Sequence, residues 1–108
     1  MDLSVKNTLS VVIPTFNEEG NIELLYNKLR ETIDPLGLEA LEVIFVDDGS
    51  HDDSLKIIKR LATNDTQVKY ISFSRNFGHQ LALKAGLDHA RFQGVISLDA
   101  DLQHPVDL

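Results

Sequence analysis

Four short apolar runs alternate with three amphipathic segments along this chain of 108 residues. The runs occupy residues 9–13, 41–46, 68–73 and 95–98. The first, second and fourth are rich in β-branched residues and almost continuously apolar, which is typical of strands covered on both faces. The crossover segments are long enough for parallel strands joined by right-handed connections. The alternation therefore predicts a β-α-β-α-β-α-β order and a doubly wound parallel α/β sheet.

Apolar residues at helical spacing predict a helix in each amphipathic segment. We expect Asn17 to be the N-cap of the first helix, and residues 50–53 to form a capping box for the second. The third is predicted from about residue 78 to residue 91, with Leu81 in its contact face and Gly94 as its C-cap. These signals place the predicted helices between the strands.

Composition excludes several classes of function. The formal net charge of −7 disfavours a nucleic-acid surface, which needs a basic stripe. A nucleotide ligand would need a metal ion or local donors to offset repulsion. The chain has no cysteine, so disulfides and thiolate metal sites are excluded. No apolar stretch approaches 18 residues and the N-terminus lacks a signal-peptide pattern, so we expect a cytoplasmic location.

Polar residues follow each of the four predicted strands at the point where it ends. They occupy residues 14–19, 47–50, 74–79 and 99–101. In open parallel sheets, ligands bind outside the carboxyl ends of the strands. The sequence therefore predicts a single ligand site at that edge of the sheet.

Asp99 and Asp101 are the most specific pair in this set. Two carboxylates one residue apart at a strand end are costly to bring together unless a cation joins them. Oxygen ligands of this kind suit Mg²⁺ or Mn²⁺, which bind through one or two carboxylates and substrate phosphates. A calcium loop of the EF type does not fit, since it needs glycine at its sixth position, where His104 stands.

The other polar residues are also compatible with purely structural roles. Asn17 and Ser50 are good helix caps whatever the function. Residues 47–49 are also compatible with a simple turn between strand and helix. Arg75 and Asn76 are equally compatible with a solvated loop.

Other nucleotide and phosphate folds match poorly. No G-x-G-x-x-G sequence follows the first strand, and there is no Walker A sequence. A phosphoacceptor receiver domain needs its acidic pair after the first strand and its acceptor aspartate after the third, whereas the acidic residues here follow strands two and four. A non-catalytic nucleotide-binding module from a truncated gene stays open as an alternative.

The four strand-end segments, taken in order, resemble the signature of family 2 glycosyltransferases. The resemblance extends from Leu9 to Pro105 and is greatest for the branch that transfers sugars to polyprenyl phosphates. It is carried by Ile13-Pro14-Thr15-Phe16-Asn17-Glu18, Val46-Asp47-Asp48-Gly49-Ser50, Ser74-Arg75-Asn76-Phe77-Gly78 and Asp99-Ala100-Asp101-Leu102-Gln103.

The resemblance implies a fold, a reaction and an assembly. The fold is the Rossmann-like sheet of type A glycosyltransferases, with strands in the order 3-2-1-4 and truncated after the fourth. Residues 1–108 would be the N-terminal half of the catalytic domain, inactive alone. The reaction is transfer of a sugar from a UDP- or GDP-linked donor to a polyprenyl phosphate, by a full-length protein at the cytoplasmic face of a membrane. An exposed fourth strand would favour a homodimer.

The resemblance also assigns site residues. Pro14, Phe16 and Glu18 would line the nucleoside pocket, and Phe16 stands where the family often has tyrosine. Val46 and Asp48 would hold the base or ribose, with Asp47 helping to orient Asp48. Arg75 would approach the nucleotide.

The last segment corresponds to the D-x-D motif of the family. Asp99 and Ala100 would contact the donor, and Asp99 and Asp101 would act in catalysis. The metal ligands would be Asp101, Gln103 and Asp99, holding Mg²⁺ or Mn²⁺.

Overall fold

The computed structural model describes residues 7–100 of the chain, and these form four strands and three helices. A short 3₁₀ turn, Asp34–Leu36, follows the first helix. The elements in chain order are β1 Thr8–Thr15, α1 Ile22–Ile33, β2 Ala40–Asp47, α2 Ser54–Asn64, β3 Val68–Ser72, α3 His79–His89 and β4 Gly94–Ser97.

The strands form one parallel sheet in the order β3-β2-β1-β4. The expected order 3-2-1-4 is confirmed. Val12 on β1 lies opposite Ile44 on β2 and Ser97 on β4, so β1 occupies the interior of the sheet. A receiver-type sheet has the order 2-1-3-4-5, in which β1 and β3 are neighbours; the observed order excludes that class.

Helices α1 and α2 cover one face of the sheet. Their apolar stripes pack against the side chains that β1 and β2 direct to this face, including the fully buried Phe45. Because protein interiors are close-packed, large residues at this interface fix the separation of the two layers. The cluster is centred on Val11, Ile13, Val43, Phe45, Ile22, Leu25, Leu29 and Ile58.

Helix α3 covers the opposite face through small residues. Ala82 is fully buried against Val12, Ile44 and Val46. At Gly86 the helix lies so close to the sheet that a Cβ atom would collide with Cγ1 of Val12 and lie 3.1 Å from Cγ2 of Val46. This close approach brings the start of α3 to the carboxyl edge of the strands.

We expect Gly86→Ala to destabilise the protein by about 1–3 kcal/mol, the usual range for overpacking a core. Alanine gains about 1 kcal/mol in helix propensity over glycine, but the collision with the fully buried Val12 outweighs that gain. Thermal unfolding followed by circular dichroism measures the change. If the collision is real, Val12→Ala should cost less free energy of unfolding in the Gly86→Ala background than in the wild type, because it removes the colliding methyl group. Equal costs in the two backgrounds would contradict the collision.

The predicted helix boundaries were wrong at three points. Helix α1 begins at Ile22 with Asn21 as its N-cap, so Asn17 does not cap it. Helix α2 begins at Ser54 with Asp53 as its N-cap and no side-chain capping bond, so residues 50–53 form no capping box. Gly94 is the first residue of β4 instead of a helix C-cap. The side chains of Asn17 and Ser50 bond across the two loops, as described below.

Two burial predictions were also wrong. Strand β4 was predicted to be covered on both faces, but its residues alternate between partly buried and exposed, and Val95 is 41% exposed. The physical reason is that α3, which covers this face in the described part of the chain, packs over β1 and β2 and leaves the edge strand open. Leu81 is exposed on α3 and lies outside its contact face. Within residues 7–100, no helix is long and apolar enough to cross a membrane.

Candidate functional site

A pocket of about 260 Å³ opens at the carboxyl edge of the sheet. Its volume lies just below the usual range of about 300–1,000 Å³ for small-molecule sites. All four strand-end segments contribute to it, as the sequence predicted. The lining residues are Pro14, Thr15, Phe16, Glu18, Asp48, Asn76, Gly78, His79, Ala82, Asp99 and Ala100.

The loops after β1 and β2 are joined by reciprocal hydrogen bonds. The Asn17 amide donates to Ser50 Oγ at 2.9 Å, and the His51 amide donates to Asn17 Oδ1 at 2.8 Å. The Glu18 amide donates to Ser54 Oγ at 2.8 Å. These bonds link segments more than 30 residues apart. They fix the part of the pocket lining that residues 14–18 form, which we call the β1 wall.

Two carboxylates, those of Asp52 and Glu19, add further hydrogen bonds between the same two loops. The Glu19 amide donates to Asp52 Oδ2 at 3.2 Å, and the Asp53 amide donates to Glu19 Oε2 at 3.0 Å. Burial raises the pKa of Asp52, but hydrogen bonds from Ser54 and from the Glu19 amide outweigh burial and hold that pKa below its ordinary value. The two loops therefore form one polar unit at neutral pH.

Asp48 connects the loop after β2 to the loop after β3. Its Oδ1 accepts the Phe77 amide at 2.7 Å, and its Oδ2 accepts the Gly78 amide at 3.1 Å. Asn76 Nδ2 also donates to Oδ2, at 3.2 Å. Asp48 is 3% exposed and lines the pocket. Its carboxylate thus fixes the part of the lining that residues 76–79 form, which we call the β3 wall, and it also faces the candidate site.

The two residues before Asp48 lie beneath the rim of the pocket. The Val46 side chain is fully buried with Val12, Ile44 and Ala82, and it supports the pocket without lining it. Asp47 is 1% exposed, and its Oδ2 accepts the Ser50 amide at 3.3 Å. Among the described residues, its Oδ1 has no hydrogen-bond partner.

Arg75 is outside the pocket lining. Its guanidinium lies 4.6 Å from the centre of the Phe77 ring, and Phe77 in turn packs edge-on against Phe73. Cation–π contacts at exposed sites contribute about 0.5–1 kcal/mol, little enough for a ligand phosphate to compete for the side chain.

Asp99 and Ala100 bring the fourth strand-end segment into the pocket. The Asp99 carboxylate supplies the hard oxygen donors that Mg²⁺ and Mn²⁺ prefer, so its chemistry fits such an ion. Across residues 7–100, no three His, Cys, Asp or Glu side chains group closely enough to hold a metal. An ion beside Asp99 would therefore complete its coordination from ligand phosphates and from other residues. Asp101 and Gln103, the other two predicted metal ligands, lie outside the described residues.

Acidic side chains outnumber basic ones in the described lining, with three carboxylates from Glu18, Asp48 and Asp99. His79 is the only Lys, Arg or His side chain in this described lining. Thr15, Asn76, Gly78 and His79 also line the pocket; they belong to the strand-end segments predicted at this edge, but no individual role was predicted for them. Ala82 was not predicted, because its position depends on the close packing of α3 against the sheet.

Known glycosyltransferases are similar to this chain in sequence. Residues 10–108 match the sequence profile of glycosyl transferase family 2. The chain belongs to that family. Over 100 residues it is 45% identical to the putative glycosyltransferase CsbB of Bacillus subtilis, covering 93% of this chain and 30% of that protein. It is 44% identical over 100 residues to the prophage bactoprenol glucosyl transferase homolog of Escherichia coli, covering 93% of this chain and 32% of that protein.

Solved structures of glycosyltransferases share the fold. The mannosyltransferase PcManGT from Pyrobaculum calidifontis, in complex with GDP-Man and Mn²⁺, has a TM-score of 0.75 and 27% identity, covering 91% of this chain and 28% of that one. TarS 1-349 of S. aureus, in complex with UDP, has a TM-score of 0.69 and 29% identity, covering 87% of this chain and 27% of that one. The sheet is thus the Rossmann-like sheet of type A glycosyltransferases.

The chain spans about a third of the length of the curated relatives it matches. The matched third contains all four strand-end segments that form the pocket. The candidate site therefore lies within the part of the chain that matches the family.

Proposed function

We propose that this chain carries the donor-binding part of an enzyme that transfers a sugar from a nucleotide-diphosphate donor to a polyprenyl phosphate. In this proposal residues 1–108 are the N-terminal nucleotide-sugar-binding half of the catalytic domain. The chain alone binds the donor and does not transfer sugar. Transfer of a labelled sugar by the purified chain would contradict this last point.

The observation that carries the proposal is the convergence of four strand-end segments on one pocket. The segments come from loops that bond to one another, so the lining is preorganised for a ligand. Related structures hold UDP or GDP-Man, which supports a nucleoside diphosphate as the ligand. The base of the donor is uracil or guanine, and the titrations below distinguish the two.

The lining suggests distinct roles for its residues. Phe16 is 39% exposed at the pocket wall and offers an aromatic face to the base. Pro14 and Glu18 complete that wall. Asp48 contacts the base or ribose, and the buried Val46 side chain supports Asp48 from beneath the pocket. Arg75 would leave the Phe77 ring to approach the nucleotide.

Asp99 and Ala100 would contact the diphosphate end of the donor. Asp101, Gln103 and Asp99 would hold Mg²⁺ or Mn²⁺, and Asp99 and Asp101 act in catalysis by positioning it. When bound, such an ion supplies Lewis-acid stabilisation of charge on the departing diphosphate. Mn²⁺ in the PcManGT complex supports a divalent ion here.

The acceptor is proposed from similarity to bactoprenol glucosyl transferases. A phosphate acceptor is already ionised at neutral pH and needs less help from a general base than a sugar hydroxyl would. A polyprenyl acceptor lies in a membrane, so the full-length protein would work at a membrane surface, and we propose the cytoplasmic one.

A homodimer through β4 is part of the same proposal. Strand β4 is an edge of the described sheet and Val95 is exposed on it, and exposed edges pair readily with other chains. Light scattering should then show a dimer at high concentration, and a monomeric mass would contradict the pairing.

Phe16→Ala tests the nucleotide pocket. Base–aromatic stacking contributes about 1–3 kcal/mol, so we expect UDP or GDP affinity in the presence of Mn²⁺ to fall by roughly 5–150-fold, at 1.4 kcal/mol for each factor of ten. Because Phe16 is partly exposed, unfolding stability should change little. Calorimetric titration gives the affinity and a thermal melt gives the stability.

Leu36→Ala is the matched control. Leu36 is a large apolar residue, 59% exposed, in the 3₁₀ turn outside the pocket. Its substitution should leave nucleotide affinity unchanged. Equal affinities for wild type and Phe16→Ala would contradict the proposed pocket.

A further inference from the structure

Asn17 has a backbone conformation unlike that of its neighbours. Its φ is +52°, and it is the only non-glycine residue with positive φ in residues 7–100. This left-handed region is unfavourable for residues with a Cβ atom, and asparagine tolerates it better than most. Such conformations persist only where surrounding contacts hold them, and they concentrate at functional sites.

The contacts that hold Asn17 come from a loop more than 30 residues away. Its amide donates to Ser50 Oγ at 2.9 Å, and its Oδ1 accepts the His51 amide at 2.8 Å. Ser50 is itself fixed, because its amide donates to Asp47 Oδ2 at 3.3 Å. The buried Asp47 thus anchors a chain of bonds that ends at Asn17.

Asn17 lies between two residues that line the pocket. Phe16 and Glu18 both belong to the lining, whereas Asn17 does not. Residues two apart share one face of an extended strand, so alternation alone does not separate Phe16 from Glu18. The positive φ at Asn17 instead turns the chain just after β1 ends at Thr15, and it sets the direction in which both neighbours are presented to the pocket. The ring of Phe16 also packs edge-on against His51, with centroids 6.3 Å apart.

We infer that Asn17 is a positioning residue of the donor pocket. Its left-handed turn, held by Ser50 and His51, presents Phe16 and Glu18 to the nucleotide, and it contacts no ligand itself. The inference rests on the proposed function, since it assigns a role in binding the same donor.

Two substitutions separate backbone conformation from side-chain contact. Asn17→Ala and Asn17→Gly both remove the carboxamide, but only glycine adopts a positive φ freely. We expect Asn17→Ala to weaken binding of UDP or GDP, titrated with Mn²⁺ into the full 108-residue chain, by about 10-fold, equivalent to ~1.4 kcal/mol. Asn17→Gly should bind within about threefold of wild type, because the exposed His51 amide can bond to water.

Gly37→Ala controls for a general loss of stability. Gly37 has φ +64° with open space around it, and it lies in the turn after α1, outside the pocket. Alanine there suffers the same backbone strain, so its melting temperature should fall as in Asn17→Ala while its nucleotide affinity stays at the wild-type value.

The outcomes distinguish the two proposals. If wild type binds and Asn17→Ala binds equally well, or Asn17→Gly loses as much as Asn17→Ala, or Gly37→Ala loses affinity to the same extent, the positioning role is overturned and the donor pocket stands. If the wild-type chain binds neither UDP nor GDP with Mn²⁺, both are overturned.

Discussion

Gly49→Ala is expected to destabilise the protein by about 3 kcal/mol, combining left-handed strain with displacement of packed neighbours. Gly49 has φ +73°, and a Cβ atom there would collide with the backbone of Arg75 and Asn76, 2.7 Å from Arg75 Cα. Backbone atoms cannot rotate aside as a side chain can. The loop after β3 must therefore move away from Asp48, which loses its bonds to Phe77 and Gly78.

The thermal midpoint measures this loss. At roughly 4–8 °C per kcal/mol for a small domain, it should fall by roughly 12–24 °C, and nucleotide affinity should fall with it because the β3 wall is displaced. Gly37→Ala carries similar backbone strain without a collision, so it should lose only about 1–2 kcal/mol. Equal losses in the two variants would show that the contact between the loops is unimportant.

Glu42→Gln is expected to destabilise the protein by about 1.5–3 kcal/mol, the usual contribution of hydrogen bonds to a charged group, because Lys69 is 42% exposed and stays solvated when the carboxylate is removed. The Glu42 side chain is 1% exposed and accepts hydrogen bonds from Ser10 Oγ at 2.6 Å, Lys69 Nζ at 2.9 Å and the Arg91 amide at 2.8 Å. A glutamine has no charge for Lys69 and would place an NH₂ group among donors. The network joins β1, β2 and β3 to the connection between α3 and β4, far along the sheet from the pocket.

The contribution of Glu42 depends on pH. Burial raises the pKa of Glu42, but bonds from Ser10, the Arg91 amide and Lys69 outweigh burial and lower it from 4.5 to about 2. Since the pKa is lower in the folded state, the carboxylate stabilises the fold above about pH 4.5, and the contribution is lost as pH falls towards 2. The stability difference between wild type and Glu42→Gln should shrink over that interval.

Urea unfolding at several pH values measures that difference. Glu39→Gln, a substitution of an exposed glutamate three residues earlier, is the matched control and should change stability by less than about 0.5 kcal/mol. A difference between wild type and Glu42→Gln that stays constant from pH 7 to pH 2 would contradict the role of the charge.

The sheet was predictable because its signals are local and repeated. Residues 9–13 and 41–46 are apolar except for Ser10 and Glu42, and they form the two central strands, whose ends extend one or two residues further. The resemblance of the strand-end segments supplied the strand order. The convergence of those segments followed from parallel pairing, which places all carboxyl ends at one edge.

The errors came from contacts that are distant in sequence. Asn17 and Ser50 have the chemistry of helix caps, but each bonds to the other's loop, and a local rule cannot detect a partner 33 residues away. The same holds for Asp48, whose bonds to the loop after β3 were not predicted. The exposure of β4 depended on which strands α3 covers, a matter of three-dimensional packing that the strand's own apolar run does not encode.

Calorimetric titration of UDP and GDP into this chain, with and without Mn²⁺ and beside an Asp101→Ala variant, tests the central claim most directly. We expect one of the two nucleotides to bind with Mn²⁺, to bind more weakly without it, and to lose the metal-dependent part in Asp101→Ala. Circular dichroism establishes that each sample is folded. Folded wild-type protein that binds neither nucleotide under either condition would contradict a donor site in this pocket.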